Sequence, residues 1–268
     1  MITLLDGSCG SLLWAMAEAE GIGREPTWKY NLEQKELVFR MHRRYVEAGC
    51  HMIQTNTFAA NPASVSRSSE YSVGQVVSEA VSIAKSAAGD SCRVYLSSGP
   101  MTQLLKPFGP LSPEECAEGY REIFSAASGV DAIMLETFMD LEMLKIAAVE
   151  ALKIGVPVVC SMSFEKKHRT LMGNRIGEIC SAMEKLGVSA VGMNCSKGPV
   201  EGLEIIKEFS ENTALPLYFK PNAGMGEQYG PKEFAAEIAP ALPYVSYIGG
   251  CCGTDESYIK EIEAILPE

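Results

Sequence analysis

The sequence predicts a (β/α)8 TIM barrel, with residues 1–268 forming a single domain. Three observations lead there. Short apolar runs recur eight times along the chain. Helix-period patterns with recognisable ends separate them. The length of 268 residues is close to the roughly 250 typical of one such barrel.

The runs lie at 2–5, 51–54, 93–97, 132–135, 156–161, 190–193, 215–219 and 245–248. They are apolar without alternating, as strands covered on both faces are. Between them, Leu37, Val38, Met41, Tyr45 and Val46 share one helical face and Gly49 follows as a stop. Val76, Val77, Ala80, Val81 and Ala84 repeat the pattern before Gly89. Ser112-Pro113-Glu114-Glu115 supplies a cap, a proline at the first helical position and a capping-box glutamate. Gly129 ends that helix, Asp140 opens the next and Gly155 closes it. Gly187 closes another. Pro231 follows Gly230 to open a further helix, and Thr254-Asp255-Glu256 opens the last, with Ile259, Ile262 and Leu266 facing inward. In five successive units a glycine stands where a left-handed cap is required. The pattern reads as eight strands alternating with eight helices. A doubly wound open sheet is the competing fold, but its G-x-G-x-x-G turn is missing from Asp6-Gly7-Ser8-Cys9-Gly10-Ser11.

Apolar residues at 47% and charged residues at 21% exclude disordered and fibrous classes. The formal net charge of −11 repels phosphate backbones, so no nucleic-acid partner is expected. No basic stretch precedes an apolar run, and no run approaches the roughly 20 residues of a membrane span. A cytoplasmic protein with no membrane partner is therefore expected. Nine cysteines, an odd number, argue against a disulfide framework. Cys9, Cys50, Cys92, Cys116, Cys160 and Cys180 read as small buried apolar residues. His42 reads as a helix-surface residue, His51 as the start of a strand and His168 as part of a solvated charged turn; none has metal spacing. Trp14 and Trp28 read as packing residues in preference to a cation cage.

In a barrel, residues just past each strand ring one mouth, where barrel enzymes place their chemistry. Here these are Asp6 and Gly7, Asn56 and Thr57, Gly99 and Pro100, Glu136 and Thr137, Ser163, Asn194 and Cys195, Lys220 and Asn222, and residues 249–252. Cys195 and the Cys251-Cys252 pair end strands six and eight, whose loops can meet over the mouth. Three thiolates with one open position make a soft site suited to Zn2+, with Asn222 the nearest further donor. Gly249, Gly250 and Gly253 beside the pair signal close backbone approach. Buried apolar cysteines and a strained vicinal disulfide are the competing readings. Zinc with three thiolates acidifies water poorly, whereas a coordinated thiol is deprotonated and stays nucleophilic. The implied chemistry is activation of a substrate thiol for attack on an electrophilic carbon.

GMNCSKGP (192–199) followed by GGCCGT (249–254) resembles the zinc signature of the homocysteine S-methyltransferase family, which includes betaine–homocysteine methyltransferase and the homocysteine module of cobalamin-dependent methionine synthase. LLDGSCGS (4–11), QTNTFAAN (54–61), SSGPM (97–101), LETFMD (135–140) and KPNAG (220–224) resemble its other blocks in order, so the resemblance covers nearly the whole chain. It implies Zn2+ on Cys195, Cys251 and Cys252, with the homocysteine sulfur in the fourth position. It implies that Asp6 and Glu136 receive the amino group, that the amides of Gly7 and Ser8 hold the carboxylate, that Asn56 and Thr57 line the mouth, and that Asn222 ligates zinc without substrate. The chain departs from the family in its Gly-Ser-Cys-Gly turn, in Gln54 where glutamate is common, and in Ala59 where the betaine enzymes have tyrosine.

The expected function is transfer of a methyl group to the homocysteine thiolate, giving methionine. Methyl transfer involving another small thiol, and a non-catalytic zinc- or thiol-binding barrel, are the alternatives. Phe58, Phe138 and Tyr229 read as scattered, and the loops around 60–75, 164–175 and 222–232 as compact. An open mouth of this kind suits a large donor, a methylcorrinoid on a partner protein, slightly more than S-methylmethionine.

Overall fold

In the computed structural model, which describes residues 2–223 and 229–267, eight parallel strands run in the order β1-β8-β7-β6-β5-β4-β3-β2. They are β1 (Thr3–Leu4), β2 (Met52–Gln54), β3 (Arg93–Ser98), β4 (Ala132–Phe138), β5 (Val158–Met162), β6 (Ala190–Asn194), β7 (Leu217–Lys220) and β8 (Tyr247–Ile248). A parallel bridge from Leu5 to Met52 joins β1 to β2 and brings the sheet round on itself. This cyclic order excludes the doubly wound alternative, which reverses direction at a switch point.

Eleven α-helices accompany the strands among the described residues. They are α1 (Cys9–Ala19), α2 (Tyr30–Glu33), α3 (Lys35–Glu47), α4 (Pro62–Ser68), α5 (Val73–Ala88), α6 (Pro113–Ser125), α7 (Leu141–Leu152), α8 (Ile176–Leu186), α9 (Pro199–Asn212), α10 (Pro231–Ile238) and α11 (Glu256–Glu263). The count exceeds the expected eight because α1, α2 and α4 are built into the first two βα connections. Asn61-Pro62, a cap followed by proline at the first helical position, is the signal that marks α4. The glycines expected to stop helices, Gly49, Gly89, Gly129, Gly155 and Gly187, all take positive φ. The capping box at Ser112 and Glu115 forms as expected.

Strand side chains alternate between two apolar layers. Leu4, Ile53, Leu96, Ile133, Val158, Val191 and Leu217 face the helices. Leu5, Met52, Tyr95, Ala132, Met134, Val159, Ala190 and Tyr218 plug the barrel interior. Two residues further along five of the strands, the inward register carries Gln54 above Met52, Ser97 above Tyr95, Glu136 above Met134, Ser161 above Val159 and Lys220 above Tyr218. An apolar plug is thereby overlaid by a polar layer, and that layer is the floor of the site.

His42 departs from expectation. It lies on α3 but is fully buried, and neither ring nitrogen has a hydrogen-bond partner. Four residues after Val38 and three before Tyr45, it falls within the apolar face of α3, which packs against α1, α2, α5, β2 and α11. Burial holds the imidazole down at about 4, the Asp6 charge opposing weakly. The folded chain therefore keeps the ring neutral, while the unfolded chain takes up a proton near pH 6.5. Stability from this group is complete above pH 6.5 and falls as pH drops from 6.5 towards 4. The variant His42→Leu is expected to be spared a loss of about 3 kcal/mol over that window. Urea midpoints measured against pH check this; parallel curves for the two proteins would contradict it.

Candidate functional site

The three signature cysteines converge. The sulfurs of Cys195, Cys251 and Cys252 all lie within 4.8 Å of one another, and Cys195 Sγ is 3.7 Å from Cys252 Sγ. All nine cysteines are free, and the other six are buried as expected. Backbone bonds lace the three contributing loops together. The Cys195 N–H donates to Lys220 O, Asn222 to Lys197 O, Cys251 to Pro221 O and Ala223 to Cys252 O, at 2.8–3.0 Å. The loop after β7 thus bridges those after β6 and β8. Cys195 and Ser196 both sit at positive φ, 57° and 55°, a tight reversal that aims the first thiol at the other two. The pair at 251–252 comes close because Gly249 and Gly250 have no side chains. A Cβ would lie 2.7 Å from Asp6 O at the first and 2.4 Å from Thr254 Oγ1 at the second.

The donor set fits a soft tetrahedral ion. Thiolates about 2.3 Å from a shared zinc lie about 3.8 Å apart, close to the 3.7 Å between Cys195 and Cys252. Hydrogen bonds from Cys251 and Cys252 hold the Cys195 thiol down to about 3, so even without metal the trio favours one thiolate. Cys252 is pushed up to about 11, with Cys195 as the leading cause. The Asn222 carboxamide is buried beside Cys195, favours its thiolate, and makes no hydrogen bond of normal geometry with either polar atom. A buried amide without a partner is costly, and a ligand bound among these sulfurs would give it one. Of the block at 220–224, Gly224 lies outside the described residues.

The sulfurs open onto a cavity of about 500 Å³, also lined by Gly7, Ser8, Cys9, Asn56, Thr57, Glu136, Thr137 and Lys220. A groove of about 540 Å³ beside α7 and α8, edged by Lys145, Glu178 and Lys185, belongs to the outer helical layer and holds no cysteine or buried acid. Within the cavity Glu136 is buried and accepts a hydrogen bond from the Ser97 hydroxyl. Burial raises its carboxyl above the usual value, against the pull of Lys220 and Ser97.

Asp6, expected to share an ammonium group with Glu136, sits below the cavity wall with both oxygens occupied. It accepts the Gln54 N–H at 2.6 Å, the Tyr95 hydroxyl at 2.8 Å and Lys220 Nζ at 2.8 Å. Lys220 also donates to Gln54 Oε1 at 3.2 Å and to Tyr95 Oη at 3.1 Å. Burial pulls the Lys220 ammonium down, but the charges of Asp6, Glu136 and Cys251 outweigh it and the net shift is upward. Asn56 and Thr57 reach the mouth with their side-chain donors already engaged. Asn56 Nδ2 donates to Thr27 O at 2.7 Å and to Asn31 Oδ1 at 2.9 Å, while the Thr57 hydroxyl donates to Ser97 O at 2.6 Å. Ser8 caps α1, accepting the Ser11 N–H, and its own amide makes one long bond of 3.4 Å to Thr254 O.

Sequence reasoning missed the aromatic wall. Trp14, Trp28 and Phe58 line the cavity together, whereas Phe138 is buried against Tyr120, away from it. Trp28 Nε1 donates to Ser64 Oγ, and the Arg24 guanidinium lies 4.1 Å over the Trp14 ring. The two tryptophans stand 14 positions apart in sequence and come to line one cavity because the segment around Thr27–Lys29 borders it too. His51 and His168 stay outside the site: the first accepts the Leu4 N–H, the second pairs with Glu208. No helix among the described residues is long and apolar enough to cross a membrane.

Comparison with known proteins agrees with this geometry. Methionine synthase from Mycobacterium leprae (strain TN) is 30% identical over 264 residues, covering 88% of this chain and 22% of that protein. Methionine synthase from Mycobacterium tuberculosis (strain ATCC 25618 / H37Rv) matches to the same extent. The chain thus spans about a fifth of the length of these curated relatives. The homocysteine methyltransferase MmuM from Escherichia coli shares the fold. Its metallated form aligns at a TM-score of 0.82 with 20% identity, covering 98% of this chain and 96% of that one. Its apo form aligns at 0.77 with 22% identity, covering 99% and 96%. Residues 3–266 match the family model described as homocysteine S-methyltransferase, and with the match spanning nearly every described element, the chain belongs to the homocysteine S-methyltransferase family.

Proposed function

We propose that this barrel transfers a methyl group to the sulfur of homocysteine, producing methionine, with zinc held by Cys195, Cys251 and Cys252. The observation that carries the reading is the meeting, in one cavity, of three clustered thiols and a single buried carboxylate, Glu136. Bound there, zinc would keep the substrate sulfur as a thiolate and raise its nucleophilicity at neutral pH. The chain's own groups orient the amino acid. Glu136 faces the ammonium. Asp6 acts at one remove, fixing the Lys220 cation that supports the ionised form of Glu136. The substrate carboxylate is met by the Gly7–Ser8 turn at the N-terminus of α1, where the weakly held Ser8 amide and the helix dipole favour an anion. With both ends of the amino acid held, the sulfur attacks the methyl carbon in line. The S–CH3 bond forms as the donor–CH3 bond breaks, and the bonding pair leaves with the donor.

Two observations bear on the donor. Of the nine large apolar side chains exposed among the described residues, Phe58, Leu104, Phe108, Met139 and Leu171 lie on connections at the C-terminal ends of strands, and Val200 lies in the first turn of α9 after β6. This apolar rim supports a donor presented by a partner, such as a methylcorrinoid protein. The second reading, a small sulfonium such as S-methylmethionine, is favoured by the presence of Trp14 and Trp28 in the cavity lining.

The wild-type protein is expected to carry about one zinc per chain. The Cys251→Ala, Cys252→Ala double variant is expected to lose it while keeping wild-type circular dichroism, because these residues sit on loops above the plug. Retention of zinc by that variant in elemental analysis would overturn the assignment. Glu136→Ala is expected to weaken homocysteine binding by about 1.5–3 kcal/mol, the scale of a hydrogen bond to a charged group, with zinc retained. A thiol lacking the amino group should lose little; equal losses in calorimetry would remove Glu136 from the ammonium. The donors separate in an anaerobic competition at saturating homocysteine. Methionine is expected from a methylated corrinoid protein faster than from S-methylmethionine, and formation from S-methylmethionine alone would reverse that order.

A further inference from the structure

Asn194 ends β6, is fully buried, and directly precedes Cys195. Its carboxamide makes four bonds. Oδ1 accepts the Thr137 N–H at 2.8 Å and the Ser161 hydroxyl at 2.7 Å. Nδ2 donates to Thr137 Oγ1 at 2.8 Å and to Cys251 Sγ at 3.8 Å. Both lone pairs and both hydrogens are used, and a flipped amide would set two donors against each other at Thr137 N–H.

The partner at the other end is under strain. Thr137 has φ of 64°, a conformation that β-branched residues rarely adopt. It lies where the β4–β5 register shifts, between Leu135 and Phe138. In a regular strand successive side chains point to opposite faces, so Glu136 and Thr137 could not both face the barrel mouth. Here both line the cavity. The bulge at Thr137 makes that possible, and the two Asn194 bonds hold it there.

We propose that Asn194 is a positioning residue joining the two halves of the site. It holds the bulge that directs Glu136 and Thr137 into the cavity, and with the same carboxamide it orients the Cys251 sulfur. The substrate-binding side and the sulfur cluster are therefore set by one group, and cannot move independently. This inference rests on the homocysteine reading above.

The test uses the full chain loaded with Co2+, whose thiolate-to-cobalt absorption reports the sulfur environment. Calorimetry measures binding of homocysteine and of 4-mercaptobutyrate, which lacks the amino group. Asn194→Ala is expected to weaken homocysteine by about 10-fold or more, the scale of losing a supporting partner behind a ligand, with 4-mercaptobutyrate much less affected. Adding Thr137→Gly is expected to restore homocysteine binding, because glycine takes positive φ without a clamp. The cobalt band should stay displaced in both variants, since the bond to Cys251 is absent from each. If Asn194→Ala does not fold, the isosteric Asn194→Asp carries the test. It keeps the acceptor for Thr137 N–H, loses both N–H donors, and should displace the band and weaken homocysteine more than 4-mercaptobutyrate. Wild-type homocysteine affinity with an unshifted band, equal losses for both thiols, or no recovery with Thr137→Gly would overturn the proposal. Failure of the wild-type protein to bind homocysteine is a different result, which removes the proposed substrate and this inference with it.

Discussion

Eight parallel strands closed on themselves leave inward side chains only one place to go, and the period of two along each strand sorts them into layers. Leu5, Met52, Tyr95, Met134, Val159 and Tyr218 fill one layer and make the plug. The next inward positions cannot be apolar if a site is to sit above that plug. In this chain they are Gln54, Ser97, Glu136, Ser161 and Lys220. The bonds from Ser97 to Glu136 and from Lys220 to Gln54 descend from that register. A slip of one residue in any strand would turn its polar member outward into the helical layer.

A polar floor inside a barrel brings an electrostatic problem. Asp6, Glu136 and the sulfur cluster are all anionic or readily become so, and they are close together in a poorly hydrated space. Lys220 answers it. Buried at the end of β7, it pairs with Asp6 at 2.8 Å and lies near enough to Glu136 and Cys251 for their charges to raise its own basicity. The pair is not simply a stabilising bridge, since burying two charges is costly even when they meet well. Its consequence is local: a fixed cation under the cavity favours ionised carboxylate at Glu136 against the burial that raises it. Gln54 fits the same arrangement. A neutral amide there accepts from Lys220 and gives its backbone N–H to Asp6 without adding another charge.

The site also depends on backbone conformations that a strand or helix would not supply. Thr137, Cys195 and Ser196 all hold positive φ without being glycine. Each is restrained by a nearby group: Thr137 by Asn194, Cys195 by the carbonyl of Lys220, and Ser196 by the Phe164 N–H that its hydroxyl accepts. Strain of this kind persists only where surroundings over-determine it. These residues cluster on the β4 and β6 ends, where the thiols and the buried acid must face the same space.

Fold class, strand count, the glycine stops and the three metal-binding candidates were legible in the residues themselves, because local periodicity and turn chemistry are written in adjacent positions and because Cys-Cys between glycines is rarely a packing pattern. The eight barrel strands were legible for the same reason; α1, α2 and α4 were not, since they share the first two connections with α3 and α5 and no apolar strand run sets them apart. Contacts set by closure of the barrel were hidden. Asp6 stands beside Gly7 in the chain, yet its partners are Gln54, Tyr95 and Lys220, the last 214 positions away. His42 shares the apolar face of α3 with Val38 and Tyr45, and residue type alone made it read as exposed although elements distant in sequence bury it. Trp14, Trp28 and Phe58 form a wall only once the first two connections come to line one cavity. Residue type announces what chemistry a group can perform, but whether that group faces solvent, substrate or another side chain depends on which strand ends closure brings together.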